Sequence, residues 1–263
     1  LQENDDVLAD LALIREAAQE GGRIAMGYFR NHPDVWYKGG RSPVTEADIA
    51  VDRFLSKTLS AARPDYGWLS EETEDNKSRR HHDRIFVVDP IDGTRAYVNG
   101  EDVWCVSIAV VESGVPVAGV LACPARDELF EAARGGEATK NGRPIAVSSV
   151  GADRVMSMPQ TVYRNLPEGF ADSIQRAPHI PSLAYRIAMV ADGRLDATLV
   201  KPGSHDWDLA AADLILGNAG GALLNRKGEP VRYNKKSVSH GLLIAGPERM
   251  LPELKNVAGA IDL

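Results

Sequence analysis

The sequence predicts a layered α/β protein whose helices and strands come in blocks rather than in strict alternation. Two observations carry this reading. Apolar β-formers fill 85–88, 103–111, 115–121 and 128–132 in close succession. Helical spacing of apolar residues instead marks the N-terminal thirty residues and several stretches of the second half.

Taken in order, residues 5–30 place Leu8, Leu11, Ala12, Ala18, Ile24, Ala25 and Phe29 at helical spacing, and Asn31-His32-Pro33 ends the run. A polar, glycine-rich loop follows at 38–43. Thr45 is the expected N-cap of a second helix over 46–62, with Glu46 and Asp48 in its first turn. Tyr66 to Leu69 reads as a short strand ending in Ser70-Glu71-Glu72, and the charged stretch 73–84 as an exposed, mobile loop. Ser113-Gly114 and Asn141-Gly142 are hairpin turns. Beyond them come a helix over Leu183 to Ala191, a strand near 196–200, a helix from Trp207-Asp208 to Asn218 ended by Gly220-Gly221, a strand near 241–245 and a helix from 247. There is no internal repeat or low-complexity tract.

The chain of 263 residues is 44% apolar and 25% charged, ordinary values for a globular protein. Its net charge of -7 argues against general nucleic-acid binding, which needs a basic face. It leaves anionic substrates open, because a bound cation inverts the local sign. No run reaches the roughly 18 apolar residues of a membrane span. No basic-then-apolar leader pattern is present either, so a cytoplasmic location is expected. Cys105 and Cys123 form no C-x-x-C pair and read as buried small hydrophobes.

The most informative stretch is Asp89-Pro90-Ile91-Asp92-Gly93-Thr94, directly after the apolar run 85–88. Two carboxylates on a tight turn either shape the turn or hold a hard cation. Glu71 and Asp208 share the property of lying at the edge of an apolar element, where α/β sites collect. Several carboxylates with few histidines suit Mg²⁺ rather than zinc, and Mg²⁺ usually shares its ligands with a phosphate compound. The main-chain carbonyl of Ile91 offers a neutral oxygen. Each acid by itself has a plainer explanation: Asp208 as a helix N-terminal acid, Glu71-Glu72 as a solvated loop, Asp89 with Gly93 as a turn. Neither a P-loop nor a G-x-G-x-x-G pattern occurs.

The set of segments resembles the inositol monophosphatase superfamily. The resemblance rests on Asp89 to Thr94, on Trp207-Asp208-Leu209-Ala210-Ala211 followed by Gly220-Gly221, on Ser70-Glu71-Glu72 upstream, and on Val44-Thr45-Glu46-Ala47-Asp48. It implies a single phosphatase domain over 1–263, an αβαβα sandwich with an α+β part to about 150 and an α/β part from about 151. It also implies lithium-sensitive, Mg²⁺-dependent hydrolysis of a phosphomonoester, with two or three ions. By position, Glu71, Asp89, the Ile91 carbonyl, Asp92 and Asp208 are the implied metal ligands. Thr94 and Asp48 are the implied pair that orients and deprotonates the attacking water, with Glu72 beside them. Gly93 and Thr94 are expected to open a helix whose free N–H groups hold the phosphate. A homodimer is the assembly the resemblance suggests.

The leaving group is a separate question. Inositol monophosphatases typically carry an acid several residues before the Trp-Asp motif, whereas here Lys201 stands seven residues before Asp208. Arg186 lies where bisphosphate nucleotidases resemble it with a basic residue. Arg186 and Lys201 are therefore the expected substrate contacts, unless they are solvated surface cations. The leading expectation is a 3'(2'),5'-bisphosphate nucleotidase acting on adenosine 3',5'-bisphosphate, followed by an inositol-1-monophosphatase. Histidinol-phosphatase and fructose bisphosphatase activities come behind, as does a regulatory binding protein on the same fold. Tyr185 or Trp36 could stack on a base, though such aromatics are more often core.

Overall fold

The computed structural model describes residues 2–31, 33–38, 42–75, 77–149 and 154–262. In chain order the elements are α1 (Gln2–Tyr28), β1 (Val35–Lys38), β2 (Ser42–Thr45), α2 (Glu46–Ala62), β3 (Gly67–Ser70), β4 (Arg84–Asp92), α3 (Thr94–Val98), β5 (Cys105–Glu112) and β6 (Val115–Cys123). Next come β7 (Glu128–Ala133), β8 (Thr139–Lys140), β9 (Arg143–Pro144), β10 (Arg154–Ser157), α4 (Gln160–Tyr163), α5 (Glu168–Ala171), β11 (Ile174–Arg176) and α6 (Leu183–Ala191). The chain closes with β12 (Ala197–Val200), α7 (Asp206–Asn218), β13 (Gly221–Asn225), β14 (Leu243–Pro247) and α8 (Leu251–Ala260).

Two sheets dominate. The larger has seven strands in the order β3-β4-β5-β6-β7-β8-β9, and the smaller five in the order β11-β10-β12-β14-β13. In the larger sheet β3 runs parallel to β4, and the pairs from β4 onward are antiparallel. Ser113-Gly114 and Asn141-Gly142 have positive φ at both residues, the twist a two-residue hairpin needs.

The strand period sorts side chains into layers. Phe86 and Val88 of β4, with Val106, Ile108 and Val110 of β5, pack against α1 and α2. Ile85 and Val87, with Cys105, Ala109 and Val111, face α6 and α7 on the other side. The same two helices cover one face of the smaller sheet, through Val200, Leu223, Leu243 and Ala245. Its other face, with Leu199 and Ile244, packs on Leu254, Val257 and Ala258 of α8. Helix, sheet, helix, sheet and helix therefore stack as the expected αβαβα sandwich.

Thr45 caps α2 as predicted, and α6 has the predicted limits. Several expectations need correction. The glycine-rich stretch 38–43 is partly strand, since Lys38 ends β1 and Ser42-Pro43 open β2, with Trp36 opposite Val44; residues 39–41 lie outside the described residues, as does His32 of the helix-ending tripeptide. The stretch 73–84 is not simply exposed: Ser78–His81 form a 3-10 turn whose Arg79 is fully buried, because Asp75 and Asn234 solvate its charge. The last helix begins at Leu251 after a 3-10 turn over Glu248–Met250. Strands β10, β11 and β13 are short and carry little apolar periodicity, so no expectation marked them. Cys105 and Cys123 are buried free thiols, and Tyr185 belongs to the core.

Candidate active site

Asp89 and Asp92 are three residues apart, a spacing that would send them to opposite faces of a regular strand. A register shift between Asp89, opposite Ser107, and Asp92, opposite Cys105, breaks the alternation. Both carboxylates thereby turn to the face that carries α6 and α7, while Ile91 packs towards α1 and α2. Each is anchored by one oxygen. Asp89 Oδ1 accepts the Ile91 N–H at 3.0 Å. Asp92 Oδ2 accepts the Ser182 hydroxyl and, at 2.7 Å, the Ala184 N–H at the start of α6.

Asp48 and Asp208 reach the site by a shared device. Each is the third residue of its helix and folds one oxygen back onto the preceding cap. Asp48 Oδ2 accepts the Thr45 N–H at 2.7 Å and the Thr45 hydroxyl at 2.6 Å. Asp208 Oδ2 accepts the His205 N–H at 2.7 Å. The sequence expectation began the second helix at Trp207-Asp208; it begins at Asp206, which makes Asp208 the third residue. The capping oxygen locks each side chain and leaves its second oxygen for other partners. For Asp48 that partner is Thr94, whose Oγ1 lies 3.4 Å from Asp48 Oδ1 and 3.1 Å from the Ile91 carbonyl oxygen.

Ligand oxygens of Asp89, Asp92 and Asp208 lie within 4.8 Å of one another. Burial drives the Asp89 carboxyl well above the usual carboxylate range, and the charges of Glu71, Asp92, Asp208 and Asp48 add to it. Asp208 is likewise pushed well up, first by burial and then by Asp92. Asp92 is raised by burial against the pull of its Ser182 and main-chain hydrogen bonds. Burial holds Asp48 at about 6, with the charge of Glu72 adding to the shift. Buried and half-buried carboxylates that repel one another, with oxygen as the only donor atom, fit a hard divalent cation. Gly93 lies at φ 95°, and a Cβ there would come within 3.0 Å of the Val103 carbonyl oxygen and of Ser182 Cβ. Only glycine fits the step from β4 into α3.

These groups open into one cavity of about 370 Å³. Glu71, Asp89, Asp92, Gly93, Thr94 and Asp208 line it, together with Arg186, Lys201 and His179. Asp48 and Glu72 do not line the cavity; Asp48 stands behind Thr94. Arg186 is no solvated surface cation. It is 3% exposed, donates through Nη1 to the Ile180 carbonyl at 3.1 Å, and is held down to about 10 by burial, opposed by the charge of Asp92. Lys201 is exposed. Burial lowers the His179 pKa, helped by the charges of Arg186, Lys201 and Arg176. Two buried polar atoms on the cavity-lining residues, Arg186 Nε and the Ser204 hydroxyl, have no hydrogen-bond partner among the described residues.

Sequence reasoning did not find His179, Ser204 or the His205–Trp207 ring stack, with centroids 4.7 Å apart. Ser204 and His205 directly precede the Trp-Asp motif, which was a usable signal; nothing in the sequence marks His179. Ser182, the partner of Asp92, was legible only as the residue before the predicted helix.

A model of the inositol monophosphatase family matches residues 7–257. The chain belongs to the inositol monophosphatase family. Members of this family are phosphatases, hydrolases of phosphoric monoesters. An inositol monophosphatase of Dictyostelium discoideum is 34% identical over 84% of this chain and 86% of its own. A histidinol-phosphatase of Mycobacterium tuberculosis is 34% identical over 91% of this chain and 95% of its own. A crystal structure of the extragenic suppressor protein suhB of Bartonella henselae superposes with a TM-score of 0.82 at 29% identity, covering 95% of this chain and 98% of that one. A 3'(2'),5'-bisphosphate nucleotidase CysQ of Haemophilus influenzae is 27% identical over 89% of each chain. Within the inositol monophosphatase family, then, the relatives divide among several substrates.

Proposed function

We propose that the protein is a Mg²⁺-dependent phosphomonoesterase whose lead substrate is adenosine 3',5'-bisphosphate. The observation that carries this reading is one cavity lined both by the acids Glu71, Asp89, Asp92 and Asp208 and by the cations Arg186 and Lys201. A substrate with one phosphate to be cleaved and a second anionic group to be held matches both sets of residues. The unpartnered Nε of buried Arg186 supports such a group, since an anion would satisfy it.

Glu71, Asp89, the Ile91 carbonyl, Asp92 and Asp208 would hold two or three Mg²⁺ ions. Such ions, when bound, make a nearby water more acidic and offset the charge of the phosphate. The chain's own residues do the rest. Thr94 Oγ1 donates to Asp48 and can accept a hydrogen bond from the attacking water, aiming it at phosphorus. Asp48 takes up the proton through that contact, and its affinity near pH 6 suits a base at neutral pH. The charge of Glu72 raises that affinity further. The N-terminal end of α3, beside Gly93, presents main-chain N–H groups suited to the phosphate oxygens.

A second reading, inositol-1-monophosphatase, draws on Ser204, whose buried hydroxyl a polyol would satisfy. A panel of adenosine 3',5'-bisphosphate, inositol 1-phosphate and histidinol phosphate, assayed for phosphate release with Mg²⁺ and with chelator, separates the readings. The bisphosphate is expected to show the highest kcat/KM. A tenfold preference for either other ester, about 1.4 kcal/mol of discrimination, would overturn the lead. Full activity in chelator would overturn the role given to Mg²⁺.

A further inference from the structure

Arg79 is completely buried and does not line the cavity. A buried guanidinium is costly unless its donors are used, and here they are used across the fold. Its Nε donates to Asp75 Oδ1 at 3.1 Å and its Nη2 to Asp75 Oδ2 at 2.9 Å. Its Nη1 donates to Asn234 Oδ1, 155 residues away, and its Nη2 also reaches the Lys235 carbonyl at 3.1 Å. The backbone makes room for this clasp at Gly67, where a Cβ would lie 2.9 Å from Arg79 Cα.

Both ends of the clasp lead to the site. On one side, the turn after β3 carries Glu71 and Glu72. It is held at its start by Asp52, which accepts the hydroxyls of Ser70 and Thr73, and closed at its end by Asp75 on Arg79. On the other side, the Asn234 N–H donates to Asp206 Oδ2 at 2.8 Å, and His240 Nε2 contacts Asp206 Oδ1 at 2.7 Å. Asp206 is the first residue of α7, two before Asp208.

We infer that Arg79 is a positioning residue for the metal site, with Asn234 as its relay. It couples the turn bearing Glu71 to the N-terminus of α7 bearing Asp208, so that carboxylates from distant parts of the chain keep one spacing. Direct hydrogen-bond partners of ligands commonly change metal affinity by about 10–100-fold; Arg79 acts one bond further out, so the low end of that range is expected. This inference rests on the metal reading above.

The test compares Arg79→Met, Asn234→Gly and Asn234→Asp with wild type by calorimetric titration with Mg²⁺, alongside the Tm in chelator. Asn234 sits at φ 56°, so glycine keeps the backbone while removing the acceptor; aspartate keeps the acceptor. The Kd for Mg²⁺ is expected to rise about tenfold in Arg79→Met and Asn234→Gly and to stay within about twofold in Asn234→Asp. KM for the phosphate ester at saturating Mg²⁺ should hardly move. If Arg79→Met does not fold, the Asn234 pair decides alone. Wild type that binds Mg²⁺ while Asn234→Gly binds it equally well would overturn the positioning role only. Wild type that binds no Mg²⁺ would overturn the metal reading and this inference with it.

Discussion

A Cβ on Gly119 of β6 would lie 3.0 Å from both the Cα and the carbonyl oxygen of Ala211 in α7. Sheet and helix meet there backbone to backbone, and the small residues Ala210, Ala211 and Ala212 make the approach possible. The same helix carries Asp208 at its N-terminal end, three residues before Ala211. Gly119→Val should push α7 off the sheet and cost about 1–3 kcal/mol of stability. Phosphatase activity should fall further than the lost folded fraction accounts for. Thermal melts and activity at a temperature where the variant is fully folded check this.

Asp89→Asn should abolish turnover without weakening the metal-free fold. Four neighbouring carboxylates repel the Asp89 charge, and the amide oxygen can still accept the Ile91 N–H. In chelator the Tm of the variant should equal or exceed that of wild type at pH 8, while calorimetry should show weakened Mg²⁺ binding. Asp92→Asn makes a poorer test, because Asp92 is the charge that faces the buried Arg186 guanidinium.

Thr94→Val should lower kcat by about 10²–10⁴, the usual worth of positioned proton transfer, with Mg²⁺ affinity little changed. Thr94→Ser keeps the hydroxyl between Asp48 and the Ile91 carbonyl and should retain most of the activity. Steady-state kinetics at saturating Mg²⁺ distinguishes the two variants.

Lys201→Glu should exchange substrate preference. The cavity would lose a cation that faces the second anionic group and gain an acid suited to a polyol hydroxyl. KM for adenosine 3',5'-bisphosphate should rise by about tenfold, roughly 1.4 kcal/mol, while inositol 1-phosphate should improve in kcat/KM.

Asp213 links stability to pH away from the cavity. Burial holds its carboxyl at about 7, against a hydrogen bond from Tyr233 and the nearby charge of His240. In the unfolded chain this group loses its proton near pH 4. Between pH 4 and 7 the native state therefore binds more protons, and stability falls as pH rises. The contribution is complete below about pH 4 and is lost as pH passes through about 7. Asp213→Asn should remove this slope, so that wild-type and variant stabilities diverge across that window in denaturant titrations with Mg²⁺ present.

Much of the site was legible before any coordinate. Residues 89–94, Glu71 and Asp208 stood at the ends of apolar runs, and Thr45 with Asp48 read as a helix start, because strand ends and caps depend on neighbours within a few residues. The turns at Ser113-Gly114 and Asn141-Gly142 were legible for the same reason: positive φ is a local demand on residue type. The convergence of Asp48, Asp89 and Asp208 was implied only by resemblance, since spacing along the chain carries no distance through space.

The tertiary structure decided what local chemistry cannot encode. The register shift between Asp89 and Asp92 turns both acids to one face, and it depends on pairing with β5. Arg186 and Arg79 look alike as cations in the sequence, yet both are buried, one beside the cavity and one as a clasp to Asn234. Burial is a property of the packed layers, and it sets both the raised carboxyl groups of the site and the cost of leaving a guanidinium unpaired. The sequence alone determined the elements and the acids; the register shift in β4 and the packing of α7 on the larger sheet bring those acids together.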